Sequence, residues 1–306
     1  MKIEELPQFL RFLEAQHGFF DPLLIMYHTV FRTGYLHFGF WPEEKGNDAD
    51  LEALLDNSRS AQARYADELL TYLPQGPHRV LDVGAGLGKF SGRLIQHGHS
   101  VTAVTPCAYQ AQQIADQYPE VRVKHGRFQE VGQTLPPASF DIILFSESFR
   151  YMPLTQVFSL LDRLLSQDGH VVIADWFAYN TSVTRRGHDH NLRVFRNAAR
   201  ENGLGIVSER DVTTNVLPTV KLGYDILCEL YLPLAAFVLA KFAQKRPRLF
   251  RLCLRWIMKW LENRILPQVP GRFDPTVFAE QYRYFFFVLR RTNLAPVTEG
   301  GAPSGN

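Results

Sequence analysis

The chain has 306 residues, of which 46% are hydrophobic, so it can bury a large core as one enlarged domain or as a core domain with an elaboration. Its 33 basic and 31 acidic residues nearly balance, and a net charge of +2 excludes a global field that would recruit nucleic acid. The three cysteines have no metal or redox spacing and predict a reducing compartment, the cytoplasm by default. The longest apolar run, residues 230–242, is shorter than a membrane span, and the acidic N-terminal stretch is unlike a targeting peptide.

The first quarter of the chain predicts helices on either side of an aromatic segment. Residues 8–32 and 50–73 carry apolar residues at helical spacing. Between them, GYLHFGFW clusters aromatic side chains just before the next predicted domain. This segment is either ordinary core or a lid over a ligand, and Tyr35 and His37 are the candidate lid residues.

After Pro74-Gln75-Gly76-Pro77, short strands alternate with helices. This alternation predicts an α/β fold with a doubly wound, mainly parallel sheet covered by helices on both faces. The spacing predicts one helix over 154–169 and another over 191–203, with Asp189 as the N-cap of the second. The predicted strands are RVLDVG, SVTAVT, VRVKHG, FDIILFS, HVVIADW and, near the C-terminus, YFFFVLR.

Three glycines, Gly84, Gly86 and Gly88, separate the first of these strands from the next helix. Small residues let the backbone approach a ligand, and a helix N-terminus offers unpaired amides and a partial positive charge. The pattern therefore indicates a site for an anionic or polar cofactor group, although a glycine-rich turn also serves as a plain connection. Dinucleotide folds differ, because they normally carry GxGxxG and an acid that closes the second strand, whereas this second strand ends AVTP.

The stretch LDVGAGLGKF resembles motif I of the class I S-adenosylmethionine-dependent methyltransferases. Thr105 and Gln110 are similar in spacing to a threonine and glutamine pair of cyclopropane fatty acid synthases. SESFRYMP resembles the E-[AS]-x-x-H-x-P segment of tocopherol and sterol C-methyltransferases, with Tyr151 in the histidine's place, and YLHFGFWP is similar to their cofactor-covering aromatic segment. The resemblance covers about residues 27–175 and the last strand. It implies a seven-stranded Rossmann-like core with N-terminal helices, a helical insertion near the C-terminus, and S-adenosylmethionine as the cofactor.

The resemblance also implies roles for the matching residues. The methionine side of the cofactor would lie on the glycine loop, the ribose near Thr105 and Gln110, and the adenine beside HGRFQE. Thr105 and Arg127 each stand where many members carry an acid. The implied cofactor-binding residues are Tyr35, His37, Asp82, Gly84, Ala85, Gly86, Gly88, Thr105, Gln110, Gly126, Arg127 and Phe128.

Glu147 and Tyr151 are the candidate catalytic residues. Glu147 follows a core strand, at the sheet edge where α/β proteins bind ligands. It would stabilise positive charge on an alkene carbon or orient a proton acceptor; alternatively it caps the next helix or binds a loop amide. Tyr151 would hydrogen-bond the substrate or simply pack. We predict no metal site, because the residues of GHDHN are too close together to chelate, although His188 or His190 would supply a base for a hydroxyl acceptor.

Residues 241–264 hold eight basic residues against one acid. On a helix, Arg248, Arg251, Arg255 and Lys259 form a stripe beside an apolar face, which fits either an interfacial membrane helix or a helix docked on the core. The apolar residues of 224–242 predict a preceding helix, and the two together would roof a hydrophobic acceptor pocket.

We therefore predict methyl transfer to a small hydrophobic or amphipathic molecule, such as a lipid, isoprenoid or polyketide-like compound, with carbon favoured over oxygen. The alternatives are an O- or N-methyltransferase of a natural product and a non-catalytic, membrane-associated cofactor-binding protein. We expect no nucleic-acid partner and a cytoplasmic location, with peripheral membrane contact through 241–264 as an option. The predicted domains are an N-terminal lid segment (1–76), a cofactor-binding core (77–213), a helical substrate cap (214–275), a final core helix and strand (276–295) and a disordered tail (296–306).

Overall fold

The computed structural model describes residues 33–42, 51–179, 190–245 and 274–292. These residues build one seven-stranded sheet with helices on both sides. The strands are β1 (Arg79–Val83), β2 (Ser100–Thr105), β3 (Arg122–His125), β4 (Phe140–Ser146), β5 (Leu165–Ala178), β6 (Leu204–Asp211) and β7 (Tyr282–Arg291). The helices are α1 (Leu51–Leu70), α2 (Lys89–Gln96), α3 (Ala108–Gln117), α4 (Phe128–Thr134), α5 (Leu154–Leu164), α6 (Leu192–Glu201), α7 (Thr213–Asp225), α8 (Leu232–Lys245) and α9 (Pro275–Gln281), with a 3-10 turn at Phe149–Tyr151 and a π-helical segment at Ile226–Tyr231.

The strand order in the sheet is β3-β2-β1-β4-β5-β7-β6. Strands β1 to β5 are parallel, and β7 runs antiparallel to both of its neighbours. This confirms the predicted doubly wound, mainly parallel sheet. The order reverses between β1 and β4, where Val83 pairs with Phe145, so that the carboxyl ends of these two strands lie side by side. Open α/β sheets bind their ligands at this point of reversal.

The core lies on both faces of the sheet. In β5, Val172 and Ala174 face one apolar cluster, while Val171 and Ile173 face the other, because successive side chains of a strand point to opposite sides. The first cluster is covered by α1, α2, α3, α7 and α9, and the second by α4, α5 and α6. Tyr65 of α1 is fully buried in the first cluster. Helix α1, which we placed in the lid segment, thus packs as a layer of the core.

The helix predicted over 154–169 ends earlier, at Leu164. The extended chain of β5 begins at Leu165, which pairs with Phe140, and Ser166 donates a hydrogen bond to Asp141 of β4. Leu165 continues the apolar helical spacing of α5, but its pairing with Phe140 of β4 ends the helix. The prediction was therefore wrong for the last turn of this helix.

The N-cap of α6 is Asn191, and the prediction of Asp189 is wrong. The side-chain oxygen of Asn191 accepts hydrogen bonds from the backbone amides of Arg193 and Val194. The chain is still extended just before this point, because the Ala178 amide at the end of β5 donates to the His190 carbonyl oxygen. The helix therefore starts only after the chain has left the sheet.

Strand β6 was not recognised in the sequence. It lies at the edge of the sheet and pairs only with β7, and most of its residues are half-buried or exposed. An edge strand that carries Ser208, Glu209, Arg210 and Asp211 lacks the continuous apolar run that identified the inner strands.

The region after β6 changes character along its length. Helix α7 buries Val216 and Val220 in the core, whereas α8 leaves large apolar side chains exposed. No helix in the described part of the chain is long and apolar enough to cross a bilayer. The predicted helix over 8–32, the basic stripe and the C-terminal tail lie outside the described residues, and the predicted division into domains stays a prediction.

Candidate functional site

A cavity opens at the carboxyl ends of β1 and β4. Three segments form most of its wall: residues 34–38, residues 84–87 after β1, and residues 146–151 after β4, in which all but Phe149 contribute. We call residues 33–42 the strap and residues 84–88 the glycine loop. The strap contacts the glycine loop through Leu36 and the residue after β4, Glu147, through the Phe38 amide, so it adjoins both strand ends.

The glycine loop needs its glycines for two reasons. Gly84 and Gly86 have φ angles of 78° and 57°, in the left-handed region that other residues rarely adopt. A Cβ at Gly84 would overlap Ser148, and one at Gly86 would lie 3.1 Å from Cδ1 of Leu36 in the strap. The loop, the strap and the end of β4 therefore touch one another. Ala85 also lines the cavity, and Gly88 precedes α2 as its N-cap residue.

Asp82 lies at the base of this loop and lines the cavity. Its side chain is buried, and Oδ2 accepts a hydrogen bond of 2.6 Å from the Ser91 hydroxyl. Burial raises the pKa of Asp82 to about 6, and the Ser91 hydrogen bond opposes that rise. Such a carboxylate is suited to an ammonium or hydroxyl donor from a ligand.

The two predicted ribose contacts have different positions. Gln110 lines the cavity, whereas Thr105 is fully buried and donates a hydrogen bond of 2.6 Å to Oε1 of Gln110. Thr105 thus orients the amide that faces the cavity. Gly126, Arg127 and Phe128 lie outside the lining, and the Phe128 ring packs on Phe145 in the core. Their predicted contact with adenine stays a prediction.

Glu147 lines the cavity directly after β4 and has a φ angle of 54°, a strained conformation for a residue other than glycine. Its Oε1 accepts hydrogen bonds from the Phe38 amide of the strap, at 2.6 Å, and from the Tyr284 hydroxyl, at 3.1 Å. Burial raises the pKa of Glu147 to about 7, against the lowering effect of Arg150, whose Nη2 lies 4.0 Å from Oε2. Glu147 therefore binds a loop amide, which was one of the two interpretations of this residue in the sequence. It also presents to the cavity a carboxyl group whose pKa burial raises to near neutral pH.

Arg150 and Asp175 form a buried ion pair that sequence reasoning missed. Nη1 of Arg150 donates to Oδ1 of Asp175 at 2.6 Å, and the Arg150 backbone amide donates to Oδ2. The guanidinium lies 3.5 Å from the centre of the Trp176 ring and donates to the hydroxyl of the half-exposed Tyr151 at 2.8 Å. A signal was present, because a charged residue inside the apolar strand HVVIADWF is rarely buried unless it is paired.

The strap is fixed by the helices around it. The His37 ring stacks on Tyr65 of α1 at 4.1 Å, the Gln62 side chain donates to the His37 carbonyl oxygen, and Trp41 Nε1 donates to the Thr219 hydroxyl of α7. Burial lowers the pKa of His37 to about 4, so the ring is neutral at physiological pH. Nδ1 bonds the Phe38 carbonyl oxygen and Nε2 is buried without a hydrogen-bond partner. Tyr35 and His37 both line the cavity, in the place predicted for a lid.

The predicted alternative bases lie elsewhere. The His190 ring packs on Phe149 and is not part of the cavity lining, while His188 and Asp189 lie outside the described residues. In the part of the chain that the structure describes, no group of three histidine, cysteine or acidic side chains is arranged to hold a metal ion.

Comparison with known proteins relates the central part of this chain to a family. Residues 81–173 match the family model of a methyltransferase domain. A 2-methyl-6-phytyl-1,4-hydroquinone methyltransferase from Synechocystis sp. is 34% identical over 110 residues, which are 35% of this chain and 34% of that protein. A methyltransferase from Alkaliphilus oremlandii is 31% identical over 100 residues, 31% of this chain and 44% of that protein. The matches thus span about a third to a half of these two curated relatives.

The fold is shared over a greater length. Geranyl diphosphate C-methyltransferase from Streptomyces coelicolor superposes with a TM-score of 0.65 at 16% identity, over 92% of this chain and 97% of that chain. The cavity combines a glycine loop that a Cβ would obstruct, a buried carboxylate at Asp82 and an oriented amide at Gln110. The predicted resemblance to the class I S-adenosylmethionine-dependent methyltransferases is confirmed over residues 81–173, which match a methyltransferase domain, and the shared fold supports it over most of the chain.

Proposed function

We propose that this protein transfers the methyl group of S-adenosylmethionine to a carbon atom of a small hydrophobic or amphipathic molecule. The observation that carries this proposal is the position of the Glu147 carboxyl, which lines the cavity beyond β4, beside the glycine loop, where burial raises its pKa to about 7. A general base works best when its pKa lies near the working pH. We also propose the predicted roles of Tyr35, His37, Asp82, Gly84, Ala85, Gly86, Gly88, Thr105, Gln110, Gly126, Arg127 and Phe128 in holding the cofactor.

The cofactor supplies an activated methyl group, so the protein mainly has to align the acceptor and exclude water. The strap covers the cavity and its contacts with α1 and α7 hold it there. When the π electrons of an alkene or aromatic acceptor form a bond from one carbon to the methyl group, the methyl–sulfur bond breaks and positive charge develops on a neighbouring carbon, until the product loses a proton. Glu147 stabilises that charge and takes the proton at Oε2, because Oε1 already accepts two hydrogen bonds. Tyr151 and Trp176 offer aromatic surface to the acceptor.

Two observations favour a carbon acceptor. The histidine that lines the cavity, His37, is a weak base, because burial lowers its pKa to about 4. The curated relative that matches about a third of this chain is named for a phytyl hydroquinone. The acceptor class proposed here is thus an isoprenoid, lipid or related apolar molecule.

The test is an assay with S-adenosylmethionine that carries a trideuterated methyl group. The protein is incubated with 2-methyl-6-phytyl-1,4-hydroquinone, with geranyl diphosphate and with a total lipid extract, and the products are analysed by mass spectrometry and NMR. We expect a trideuteromethyl group on carbon in one of these samples. A label on oxygen or nitrogen would contradict carbon methylation, and no labelled product in any sample would contradict the proposed acceptor class.

We further propose a cytoplasmic protein that meets the membrane peripherally through α8 and the basic stripe that follows it in sequence. On α8, Leu232, Leu234, Phe237 and Val238 are 45–58% exposed. Lys241 and Lys245 follow on the same helix, and Lys241 lies 5.7 Å from the centre of the Phe237 ring. An apolar helix edged by cations is typical of an interfacial helix on anionic lipid, and a membrane would also present an apolar acceptor.

Co-sedimentation with phosphatidylserine vesicles at low and high salt tests this contact. Leu234→Ser with Phe237→Ser should move the protein from the pellet to the supernatant. Val207→Ser is the matched control, because Val207 is an equally exposed apolar residue on the edge strand β6. Wild-type protein that stays in the supernatant at low salt would contradict the proposed membrane contact.

A further inference from the structure

Tyr284 of β7 contacts Glu147 in the interior and Tyr65 of α1 contacts Tyr284, although neither tyrosine belongs to a recognised motif of the sequence. Both tyrosines are fully buried, and their rings pack edge to face at 6.3 Å. The two hydroxyl oxygens lie 2.7 Å apart, and the Tyr284 hydroxyl donates to Oε1 of Glu147 at 3.1 Å. Two contacts, between residues 219 and 137 positions apart in sequence, thus link Tyr65 through Tyr284 to one carboxylate oxygen of Glu147.

The direction of these hydrogen bonds follows from proton count. Each tyrosine hydroxyl has one proton to donate. Tyr284 has two acceptors in reach, Oε1 of Glu147 at 3.1 Å and the Ala174 carbonyl oxygen at 3.4 Å. If Tyr65 donates to Tyr284, the Tyr284 proton is directed to the closer and charged acceptor, Glu147. The chain then runs from Tyr65 to Tyr284 to Glu147.

The chain does not lead out of the protein. Its other end is the Ser146 hydroxyl, 3.3 Å from the Tyr65 oxygen, and Ser146 lines the same cavity as Glu147. A path that returns to the cavity gives a proton no exit other than the cavity itself. The arrangement therefore suits the fixing of a side chain better than the removal of a proton.

We propose that Tyr284, oriented by Tyr65, is a positioning residue that holds Oε1 of Glu147 against the strap and leaves Oε2 to face the methyl acceptor. This inference rests on the proposed function of Glu147. The strap amide of Phe38 provides the second bond to Oε1, so the carboxylate reaches this position only when strap, β4 and β7 are together. The strained backbone of Glu147, with φ of 54°, is maintained by these contacts.

The charged groups around Glu147 have opposing effects on its pKa. Burial raises it, Arg150 and the bonds from Phe38 and Tyr284 lower it, and Asp175 raises it. His37 of the strap stacks on Tyr65 and is neutral near pH 7. Because the Tyr284 bond favours the ionised carboxylate, its loss should raise the pKa of Glu147 further.

The experiment is a ¹³C NMR titration of protein labelled at Cδ of glutamate and saturated with S-adenosylhomocysteine. The Glu147 signal is assigned by its absence in Glu147→Gln. We expect a wild-type pKa of about 7. In Tyr284→Phe it should rise by about one unit, because a hydrogen bond to a charged group is lost. Tyr65→Phe should give a smaller rise, since the direct bond remains.

Tyr72→Phe is the matched control, because Tyr72 packs on Phe286 of the same strand and its hydroxyl bonds Arg210, so the pKa of Glu147 should not change. Affinity for S-adenosylhomocysteine should stay within about twofold in all three variants. A Glu147 pKa in Tyr284→Phe equal to that of wild type would overturn the inference. If that variant does not fold, an unchanged pKa in Tyr65→Phe has the same meaning. The titration needs no methyl acceptor, so a failure of the proposed function in the product assay would be recognised separately.

Discussion

Strands β1 and β4 each carry a buried acidic residue where they meet at the cavity. The residues that hydrogen-bond these two acids lie at very different distances from them along the chain. Asp82 of β1 is bonded by Ser91, nine residues further on in the same strand, loop and helix unit. Glu147 after β4 is bonded by Phe38 and Tyr284, 109 and 137 residues away. The proposed cofactor side is thus built around a local contact, whereas the proposed acceptor side forms only when the strap has bonded to the residue after β4 and β7 has paired with β5. Substitutions should separate the two sides.

The largest expected effect is on the acceptor side. Glu147→Gln should lower kcat by about 100- to 10,000-fold, the usual contribution of a positioned general base. The reason is that glutamine neither accepts the proton nor compensates positive charge on the acceptor. Turnover is measured with whichever acceptor the product assay identifies. Full activity of this variant would mean that Glu147 only holds the strap by a hydrogen bond and takes no part in the reaction.

On the cofactor side, Gly86→Val should weaken S-adenosylhomocysteine binding by about tenfold or more, because the φ of 57° is strained for valine and its Cβ would press on Leu36. Isothermal titration measures the affinity. Gly98→Val is the matched control, since Gly98 has a φ of 84° with open space around it, away from the cavity. Equal losses of affinity in both variants would mean that the effect is general destabilisation.

A smaller effect is expected at Ser91. The Ser91 hydroxyl lowers the pKa of Asp82, so Ser91→Ala should raise that pKa above its value of about 6. The pH below which S-adenosylhomocysteine affinity falls should then rise by about one unit, while the pKa of Glu147 does not change. Affinity measured between pH 5 and pH 8 tests this shift. An unchanged pH dependence would mean that Asp82 does not titrate in the binding reaction.

The smallest effect concerns stability. Burial raises the pKa of Glu147 from 4.5 to about 7, so unfolding releases its proton in this range and the free energy of unfolding falls as pH rises from about 4.5 to about 7. The contribution is at most about 1.4 kcal/mol per pH unit. Urea unfolding should therefore show a more negative pH slope for wild type than for Glu147→Gln in this range. Identical slopes would mean that Glu147 is ionised in the folded protein throughout.

The same contrast explains how much the sequence could predict. The strand positions, the glycine loop and Asp82 depend on residues a few positions apart, and strand-loop-helix periodicity is sufficient to find them. Glu147 was found because it ends a recognisable strand. Its partner Tyr284 was not, because YFFFVLR predicts a buried strand without indicating which side chain reaches β4.

Some local features were also missed, and for a related reason. Helix α5 ends where Leu165 pairs with the sheet. Helix α6 starts only after the chain has left the sheet, beyond the contact that Ala178 makes with His190. Strand β6 gives a weak sequence signal because it is a polar edge strand, which among the described strands pairs with β7 alone. In each case a contact distant in sequence overrides the local pattern.

The central claim, that Asp82 serves the cofactor and Glu147 the acceptor, is tested most directly by titration of S-adenosylhomocysteine into Asp82→Asn and Glu147→Gln side by side. We expect Asp82→Asn to bind this ligand at least about tenfold more weakly than wild type and Glu147→Gln to bind it within about twofold of wild type. An equal loss of affinity in the two variants would contradict the account, because both acids would then belong to the cofactor site.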